Sequence, residues 1–493
     1  MSLQFITGNS GNGKTKYLFN RIVKEAKANP RDNYLVIVPE QFTMQTQRQL
    51  VDLSENKAIM NIDVLSFKRL AYRVFDELGI TNLTVLEETG KNLVLRKLAA
   101  QEADKLGVIG RNLNRIGYIS EVKSLLSELV QYNISPEELG RYIASGRLSD
   151  TLSDKLKDVL VLYEAFEKFM QDKYITAEEI LNVLSNVAEE SAILRNSVIA
   201  FDEFTGFTPI QNQLIKKLFV ISKKIYVTLT IDCREDIFKS RGMQELFDMP
   251  KRTVKSLTEM AAFYGIEVEE PIILDKNYRL AENEELSFME QQLFRKRRCS
   301  FKKAPKHIHI DCLRDPKQEL TKIARRINEL VRNENLRYRD IAIVTGDVNI
   351  YAGYVREIFD KYNIPYFIDA TQEILFHPFI EFIRSIPDIA AQNFSADAVF
   401  RFLRCGFSEL LDSEIDVLEN YVLACGVRGK SAWDKKWVRL PKHKAGYDLE
   451  LLNQSREYIM ELLKPVYQVF SDKKSTVKDY VLAIYKLIVL LDI

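Results

Sequence analysis

The sequence predicts an α/β fold in which a parallel sheet is interrupted by large helical insertions. Short apolar runs alternate with helical periods along residues 1–83 and again along 196–293. A Gly-rich loop connects the first apolar run to the first helix. Between the two stretches, residues 84–195 are helical almost throughout. We therefore expect one discontinuous α/β domain that carries a helical insertion.

The individual elements follow in chain order. Apolar runs predict five strands of the first sheet, at 3–6, 34–38, 62–65, 197–201 and 224–232. A second series of apolar runs predicts three further strands, at 307–312, 340–346 and 364–369. Helices are expected between these strands, at 319–332 and 354–362.

These elements give the domain organisation. A chain of 493 residues is too long for one hydrophobic core, so we expect several domains. The predicted domains are 1–83 with 196–293, the helical insertion 84–195, a second α/β unit at 294–375, and a second helical insertion at 376–493. The last stretch, YVLAIYKLIVLLDI, is an apolar helical pattern without a polar tail. We therefore expect a truncated chain, a fragment of a longer protein.

Composition excludes several classes of protein. With 46% hydrophobic and 28% charged residues, the chain is neither collagen-like nor largely disordered. Its 70 Lys and Arg balance 69 Asp and Glu, so any nucleic-acid binding must use local patches. Five scattered cysteines without a CxxC pair fit neither a disulfide framework nor a zinc knuckle. Without a secretory signal or a long apolar run, a cytoplasmic protein with no membrane partner is expected.

The Gly-rich loop GNSGNGKT fits the pattern G-x-x-x-x-G-K-[ST] and lies between a strand and a helix N-terminus. The backbone around Gly8, Gly11 and Gly13 would form an anion nest, to which the helix dipole adds. Lys14 would reach the β- and γ-phosphates, and the Thr15 hydroxyl would coordinate Mg²⁺. This predicts a P-loop NTPase site for ATP and Mg²⁺, with an ordinary Gly-rich turn as the alternative.

Two acids follow the strand SVIAF. A P-loop ATPase needs a carboxylate at the end of a neighbouring strand to hold Mg²⁺, and Asp202 supplies one. Glu203 beside it could polarise the attacking water. We therefore predict Asp202 as a metal-binding and catalytic residue with Thr15, and Glu203 as catalytic. A solvated loop start is the alternative.

Several segments resemble those of UvrD-like superfamily 1 DNA helicases. Asp202-Glu203-Phe204, with Gln211 nine residues after Asp202, resembles their motif II. The segments IDVLSFKRLAYRVFDEL, LDKNYRLAENEEL and DPKQELTKIARRI resemble further parts of that family. The resemblance implies RecA-like domains in a UvrD-like helicase architecture. It also implies that Gln211 belongs to the nucleotide site and that Arg279, in NYR, approaches the γ-phosphate.

Within these helicases the chain resembles the AddB (RexB) family, which forms part of the ATP-dependent helicase/deoxyribonuclease. The segments VPEQFTMQTQRQL, DEFTGFTPIQ and FHPFIEFIRS carry this resemblance. It implies an AddA-like helicase-nuclease partner in a heterodimer that processes double-strand DNA ends, and their single strands, for recombinational repair. It also implies a nuclease and a 4Fe-4S cluster in a C-terminal domain that this sequence does not contain.

The chain departs from the motor pattern of that family. Thr205 and Gly206 stand where Gln and Asp are usual in motif II, and Asp232 lacks a Gln three residues later. We therefore expect a protein that binds Mg-ATP and DNA while a partner supplies the main motor. A self-sufficient helicase and an ATP-free scaffold are the alternatives.

Local DNA contacts could come from two basic segments. Residues 295–306 hold seven Lys or Arg and no acid, which suits either a phosphate backbone or a solvated linker. The segment SAWDKKWVRLPKHK interleaves Trp433 and Trp437 with basic residues, which suits either stacking on single-stranded bases or amphipathic packing. His377 has no partner acids at ligand spacing, so a structural role is expected.

Overall fold

The computed structural model describes residues 1–81, 84–110, 116–146, 148–171, 174–295, 299–370, 374–441 and 446–493. The chain forms two compact units, Met1–Ile310 and Asp311–Ile493. The finer division into domains with boundaries at 84, 196, 294 and 376 stays a prediction. Among the described residues, no helix combines the length and the apolar character that crossing a membrane requires.

The first unit is built on a parallel sheet. The strands of this unit, within its described residues, are β1 (Ser2–Gly8), β2 (Tyr34–Ile37), β3 (Ile62–Leu65), β4 (Val85–Leu86), β5 (Ile175–Thr176), β6 (Val198–Phe201), β7 (Lys224–Thr230), β8 (Glu267–Val268) and β9 (Ile272–Leu274). The main sheet has the order β3-β2-β6-β7-β1-β8, and β9 also pairs with β1. Every pairing in it is parallel. The predicted α/β fold with a parallel sheet is therefore confirmed, and so are its five predicted strands.

Helices cover both faces of this sheet, which is why its strands read as continuous apolar runs. Leu35 and Ile37 of β2 point into one core, whereas Tyr34 and Val36 point into the other. The helices of the unit, within its described residues, are α1 (Lys14–Ala28), α2 (Thr43–Leu53), α3 (Phe67–Leu78), α4 (Glu88–Gln101), α5 (Ile116–Gln131), α6 (Pro136–Ala144), α7 (Asp150–Met170), α8 (Ile180–Val187), α9 (Pro209–Ile221), α10 (Asp248–Phe263) and α11 (Glu284–Gln292). Helices α4 to α7 share a separate core, and the small β4–β5 pair adds strands where only helices were predicted.

The second unit is helical in its described residues. Its helices are α12 (Pro316–Asn333), α13 (Val348–Lys361), α14 (Pro378–Ala391), α15 (Ala396–Leu403), α16 (Asp412–Cys425), α17 (Lys430–Trp433), α18 (Leu449–Ser471) and α19 (Val477–Leu490). The predicted helices of this region are confirmed. The strands predicted at 307–312, 340–346 and 364–369 are wrong, because these segments form no strand.

Exposure explains why those three segments do not form a sheet. Ile310, Val344 and Phe367 are 94%, 92% and 88% exposed, respectively. A parallel strand is stable when neighbouring strands satisfy its backbone and helices bury both of its faces. No strand partners these apolar runs within the described residues, so their side chains remain in solvent.

Two tryptophans predicted to stack on bases lie instead in the core of the second unit. Trp433 is fully buried and Trp437 is 6% exposed, with their ring centroids 5.3 Å apart. The Trp437 indole N–H donates to the carbonyl of Ala432 at 3.0 Å. Base stacking by these rings is therefore wrong, and amphipathic packing is confirmed. Residues 442–445 of the same basic segment lie outside the described residues.

Candidate phosphate-binding site

The P-loop leads from β1 into α1, as its sequence predicts. β1 ends at Gly8, and Gly13 is the N-cap of α1 with a left-handed φ of 80°. No side chain caps this helix, and its first turn carries no acid. The first N–H groups of α1 are therefore available to an anion, and the helix dipole favours one there.

Gly11 permits a second segment to lie against the loop. Its φ is 90°, and a Cβ at this position would lie 2.8 Å from both Arg279 Cβ and Asn277 Oδ1. The Asn277 amide donates to the Ser10 carbonyl at 2.9 Å, and the Tyr278 N–H donates to the Gly11 carbonyl at 3.0 Å. The NYR segment is therefore docked on the P-loop, which brings Arg279 to the site as the resemblance implied.

The two predicted acids lie opposite the P-loop threonine. The Thr15 hydroxyl is 3.3 Å from both Asp202 Oδ1 and Glu203 Oε1. Asp202 is buried, and its Oδ1 also accepts a hydrogen bond from the Thr228 hydroxyl. Glu203 is exposed and has a left-handed φ of 64°, which is uncommon for a side-chain-bearing residue. This backbone conformation turns Glu203 back towards the P-loop.

Burial perturbs two charged groups of the site. Burial raises the pKa of Asp202, and the neighbouring Glu203 adds to the effect. Burial lowers the pKa of Lys14 despite the attraction of Glu203 and Asp202. In both cases the charged form lacks the solvation it would have in water, so a bound charge of opposite sign would stabilise it. The site therefore favours a cation beside Asp202 and an anion beside Lys14.

The residues present fit ATP with a divalent cation. A cavity of about 790 Å³ opens along the P-loop and is lined by Lys14, Thr15, Asp202, Glu203 and Arg279 among others. Asp202 Oδ2 is buried without a hydrogen-bond partner among the described residues, as an unfilled ligand position would be. Within the same residues, no group of three or more His, Cys, Asp or Glu could hold a metal by itself. This donor set suits Mg²⁺, which is commonly held by one or two protein oxygens together with phosphate and water.

Gln211 does not line this cavity. Its side-chain oxygen accepts the Thr208 backbone N–H at 2.9 Å and so completes the capping box of α9. The pattern T-P-I-Q at 208–211 predicts such a box, because Ser or Thr followed three residues later by Glu or Gln is its signature. The structure thus gives Gln211 a helix-capping contact, and its role at a nucleotide stays a prediction.

Sequence reasoning missed three side chains that hold the site together. Asn277 anchors the NYR segment, Thr228 binds Asp202, and Asn9 links the P-loop to more distant residues. The only available signal was the position of Asn277 directly before Tyr278 and Arg279. The contacts of Thr228 and Asn9 are made between segments far apart in the chain, so no local spacing reveals them.

The basic segment at 295–306 is partly neutralised by acids. Arg295 Nη2 lies 2.8 Å from Asp232 Oδ2, and the guanidinium lies over the Phe247 ring at 4.8 Å. Lys303 forms an exposed ion pair with Glu284. Residues 296–298 lie outside the described residues. Arg295 is therefore a structural partner of Asp232, and DNA binding by the remaining residues stays a prediction.

His377 has the structural role expected for it. Its Nδ1 accepts the Phe379 backbone N–H at 3.2 Å and caps the start of α14.

Comparisons with known proteins give a consistent result. Residues 5–290 match a family model described as ADDB, N-terminal. The chain is similar to proteins whose names make them one subunit of an ATP-dependent helicase/deoxyribonuclease. The relative from Lachnoclostridium phytofermentans is 39% identical over 99% of the chain and 43% of its own length. Those from Clostridioides difficile and Clostridium tetani are each 33% identical, over 100% and 95% of the chain and 43% and 41% of their own lengths. The chain thus spans less than half the length of these relatives.

Proposed function

The chain belongs to the ADDB N-terminal family, and on that premise we propose that it binds Mg-ATP at the P-loop as the nucleotide-binding part of a helicase-nuclease. The observation that carries the proposal is the position of Thr15, whose hydroxyl is 3.3 Å from both Asp202 and Glu203. A phosphate-binding loop and two carboxylates meet there in one cavity.

Each side chain has a role that its surroundings support. The N–H groups of the P-loop and of the first turn of α1 bind the phosphates, and the Lys14 ammonium neutralises them. Thr15 and Asp202 would hold Mg²⁺, which supplies charge neutralisation to the phosphates when bound. Glu203 is exposed to the cavity and would orient and deprotonate an attacking water. Arg279, docked beside Gly11, would stabilise charge on the γ-phosphate.

The wider role follows from the relatives. Proteins with this name are subunits of an ATP-dependent helicase/deoxyribonuclease. We propose that the whole protein acts on double-stranded and single-stranded DNA at DNA ends, together with an AddA-like partner that supplies the main motor. The nuclease and a 4Fe-4S cluster would belong to the part of the relatives that this chain does not match. Thr205 and Gly206, which depart from the helicase motif, support binding of nucleotide with weak motor activity.

Calorimetric titration of the 493-residue chain with ATP, with and without Mg²⁺, tests the nucleotide site. We expect Mg²⁺ to raise the affinity of the unaltered chain, because Asp202 Oδ2 then gains a partner. Asp202→Ala should remove this Mg²⁺ effect, whereas Asp76→Ala, an exposed acid on α3, should retain it. An equal Mg²⁺ effect in Asp202→Ala and the unaltered chain would contradict the proposed metal site.

A further inference from the structure

We propose that Asn9 and Glu290 are positioning residues that couple nucleotide binding at the P-loop to helix α11. The inference rests on the proposed function and extends it, since neither residue belongs to the P-loop pattern itself. Asn9 occupies a variable position of that pattern, and Glu290 lies 281 residues further along the chain.

Asn9 is the junction of three contacts. Its side chain is 5% exposed, and both of its amide atoms are used. Nδ2 donates to Glu290 Oε1 at 2.8 Å, and Oδ1 accepts the Cys233 backbone N–H at 3.0 Å. Its carbonyl accepts a hydrogen bond from Lys14 Nζ at 3.1 Å. One residue therefore contacts the phosphate-binding lysine, the loop after β7 and helix α11.

A second set of contacts holds the same end of α11. The Arg234 guanidinium donates to the Gln291 carbonyl at 3.1 Å and pairs with Asp232. Arg295, three residues after the end of α11, pairs with the same carboxylate at 2.8 Å. The Asp232 side chain is 2% exposed, so these ion pairs are shielded from water. The segment 290–295 is thus fastened to the sheet edge that carries the phosphate site.

Phosphate binding changes the forces on Asn9. A phosphate competes with the neutral Asn9 carbonyl for the Lys14 ammonium, and hydrogen bonds between ionised groups are the stronger ones. Asn9 is then held mainly by Glu290 and Cys233. The Glu290 carboxylate fixes the orientation of the Asn9 amide, because only the NH₂ group can donate to it. The loop geometry that receives phosphate therefore depends on α11, and by linkage nucleotide binding must stabilise the α11 contact by the same factor.

Four variants of the full 493-residue chain test this coupling by calorimetric titration with Mg-ATP. Glu290→Ala should weaken binding about 5- to 10-fold, at the low end of typical coupling factors. Glu290→Gln should restore most of the affinity, because its amide oxygen still accepts from Asn9. Asn9→Ala should weaken binding, and adding Glu290→Ala to it should weaken binding little further. Glu284→Ala is the matched control, since Glu284 lies on the same helix in an exposed pair with Lys303.

Hydrogen exchange supplies a readout that a purely structural role would not move. Nucleotide should slow amide exchange in 284–295 of the unaltered chain and of Glu284→Ala, but not of Glu290→Ala. If Glu290→Ala does not fold, Asn9→Asp removes the donor and keeps the acceptor, and the same losses are expected. Unchanged affinity in these variants, or additive losses in the double variant, would overturn the inference alone. A failure of the unaltered chain to bind nucleotide would overturn the proposed function and this inference together.

Discussion

Replacing Lys14 by Ala should abolish most nucleotide binding while leaving the fold intact. In the free protein, Lys14 Nζ donates to the Asn9 carbonyl at 3.1 Å. With nucleotide bound, the ammonium would instead bond to two phosphate groups. Hydrogen bonds to charged groups contribute about 1.5–3 kcal/mol each, so two such bonds contribute about 3–6 kcal/mol.

The expected loss is smaller than this sum, because binding gives up the bond to Asn9. A neutral-acceptor hydrogen bond is worth about 1 kcal/mol, which leaves a net loss of about 2–5 kcal/mol. At about 1.4 kcal/mol for each factor of ten, the dissociation constant of Mg-ATP should rise about 30-fold to about 5,000-fold.

Folding stability should hardly change in this variant. Burial lowers the pKa of Lys14, so the ammonium is less stable in the fold than in the unfolded chain. This cost is present at neutral pH, where the unfolded lysine is charged, and the substitution removes it. The melting temperature of Lys14→Ala should therefore be equal to or slightly above that of the unaltered chain.

Isothermal titration calorimetry and thermal unfolding of the same samples separate the two effects. Lys24→Ala, an exposed lysine further along α1, is the matched control and should bind as the unaltered chain does. Lys14→Ala with undiminished affinity and a normal melting temperature would refute the assignment of this loop as the phosphate site. Lys14→Ala with a strongly reduced melting temperature would refute the stability reasoning.

Four further outcomes are expected. Gly11→Ala should weaken Mg-ATP binding in the same titration, because its Cβ would lie 2.8 Å from Arg279 Cβ, whereas Gly79→Ala, at a left-handed position with open space, should not. Trp433→Ala should lower the free energy of unfolding of the second unit by about 3–5 kcal/mol in denaturant titrations, since the ring is fully buried; a loss below about 1 kcal/mol would contradict that packing. Although burial opposes it, pairing with Arg234 and Arg295 lowers the pKa of Asp232 to about 2, so its stabilisation is complete above about pH 4 and is lost as the pH falls towards 2. Asp232→Asn should thus cost about 1–2 kcal/mol at pH 7, with the difference from the unaltered chain shrinking below about pH 4 in pH-dependent unfolding. Steady-state assays of the 493 residues should show slow ATP hydrolysis with little DNA stimulation and no unwinding, and rapid DNA-stimulated turnover would contradict the proposed division of labour with a partner.

Most of the first unit could be predicted from local patterns. The five predicted strands all form, because each is an apolar run buried on both faces of a parallel sheet. The P-loop spacing placed Lys14 and Thr15 correctly at the start of α1. The acids after SVIAF were found because parallel strands that pair side by side present their carboxyl ends at one edge. These features depend on residues close together in the sequence.

The same reasoning failed where a pattern permits two tertiary outcomes. The run at 340–346 is apolar enough for a strand, yet a strand also needs partners, and Val344 remains 92% exposed. Trp433 among basic residues suits a stacking surface and an amphipathic helix equally well, and the surrounding helices decided for the core. Arg295 belongs to a run of positive charge, but a buried carboxylate 63 residues earlier captured it.

Local patterns are sufficient to specify the chemistry of the site and the class of its fold. A Gly-rich loop with Lys14 and Thr15, followed far along the chain by Asp202 and Glu203, requires only local backbone geometry and strand order to be recognised. The contacts that hold this chemistry in place arise only when the chain folds. Asn9 meets Glu290 across 281 residues, because hydrogen bonds and ion pairs between distant segments depend on distance in space and leave no periodic trace in the sequence.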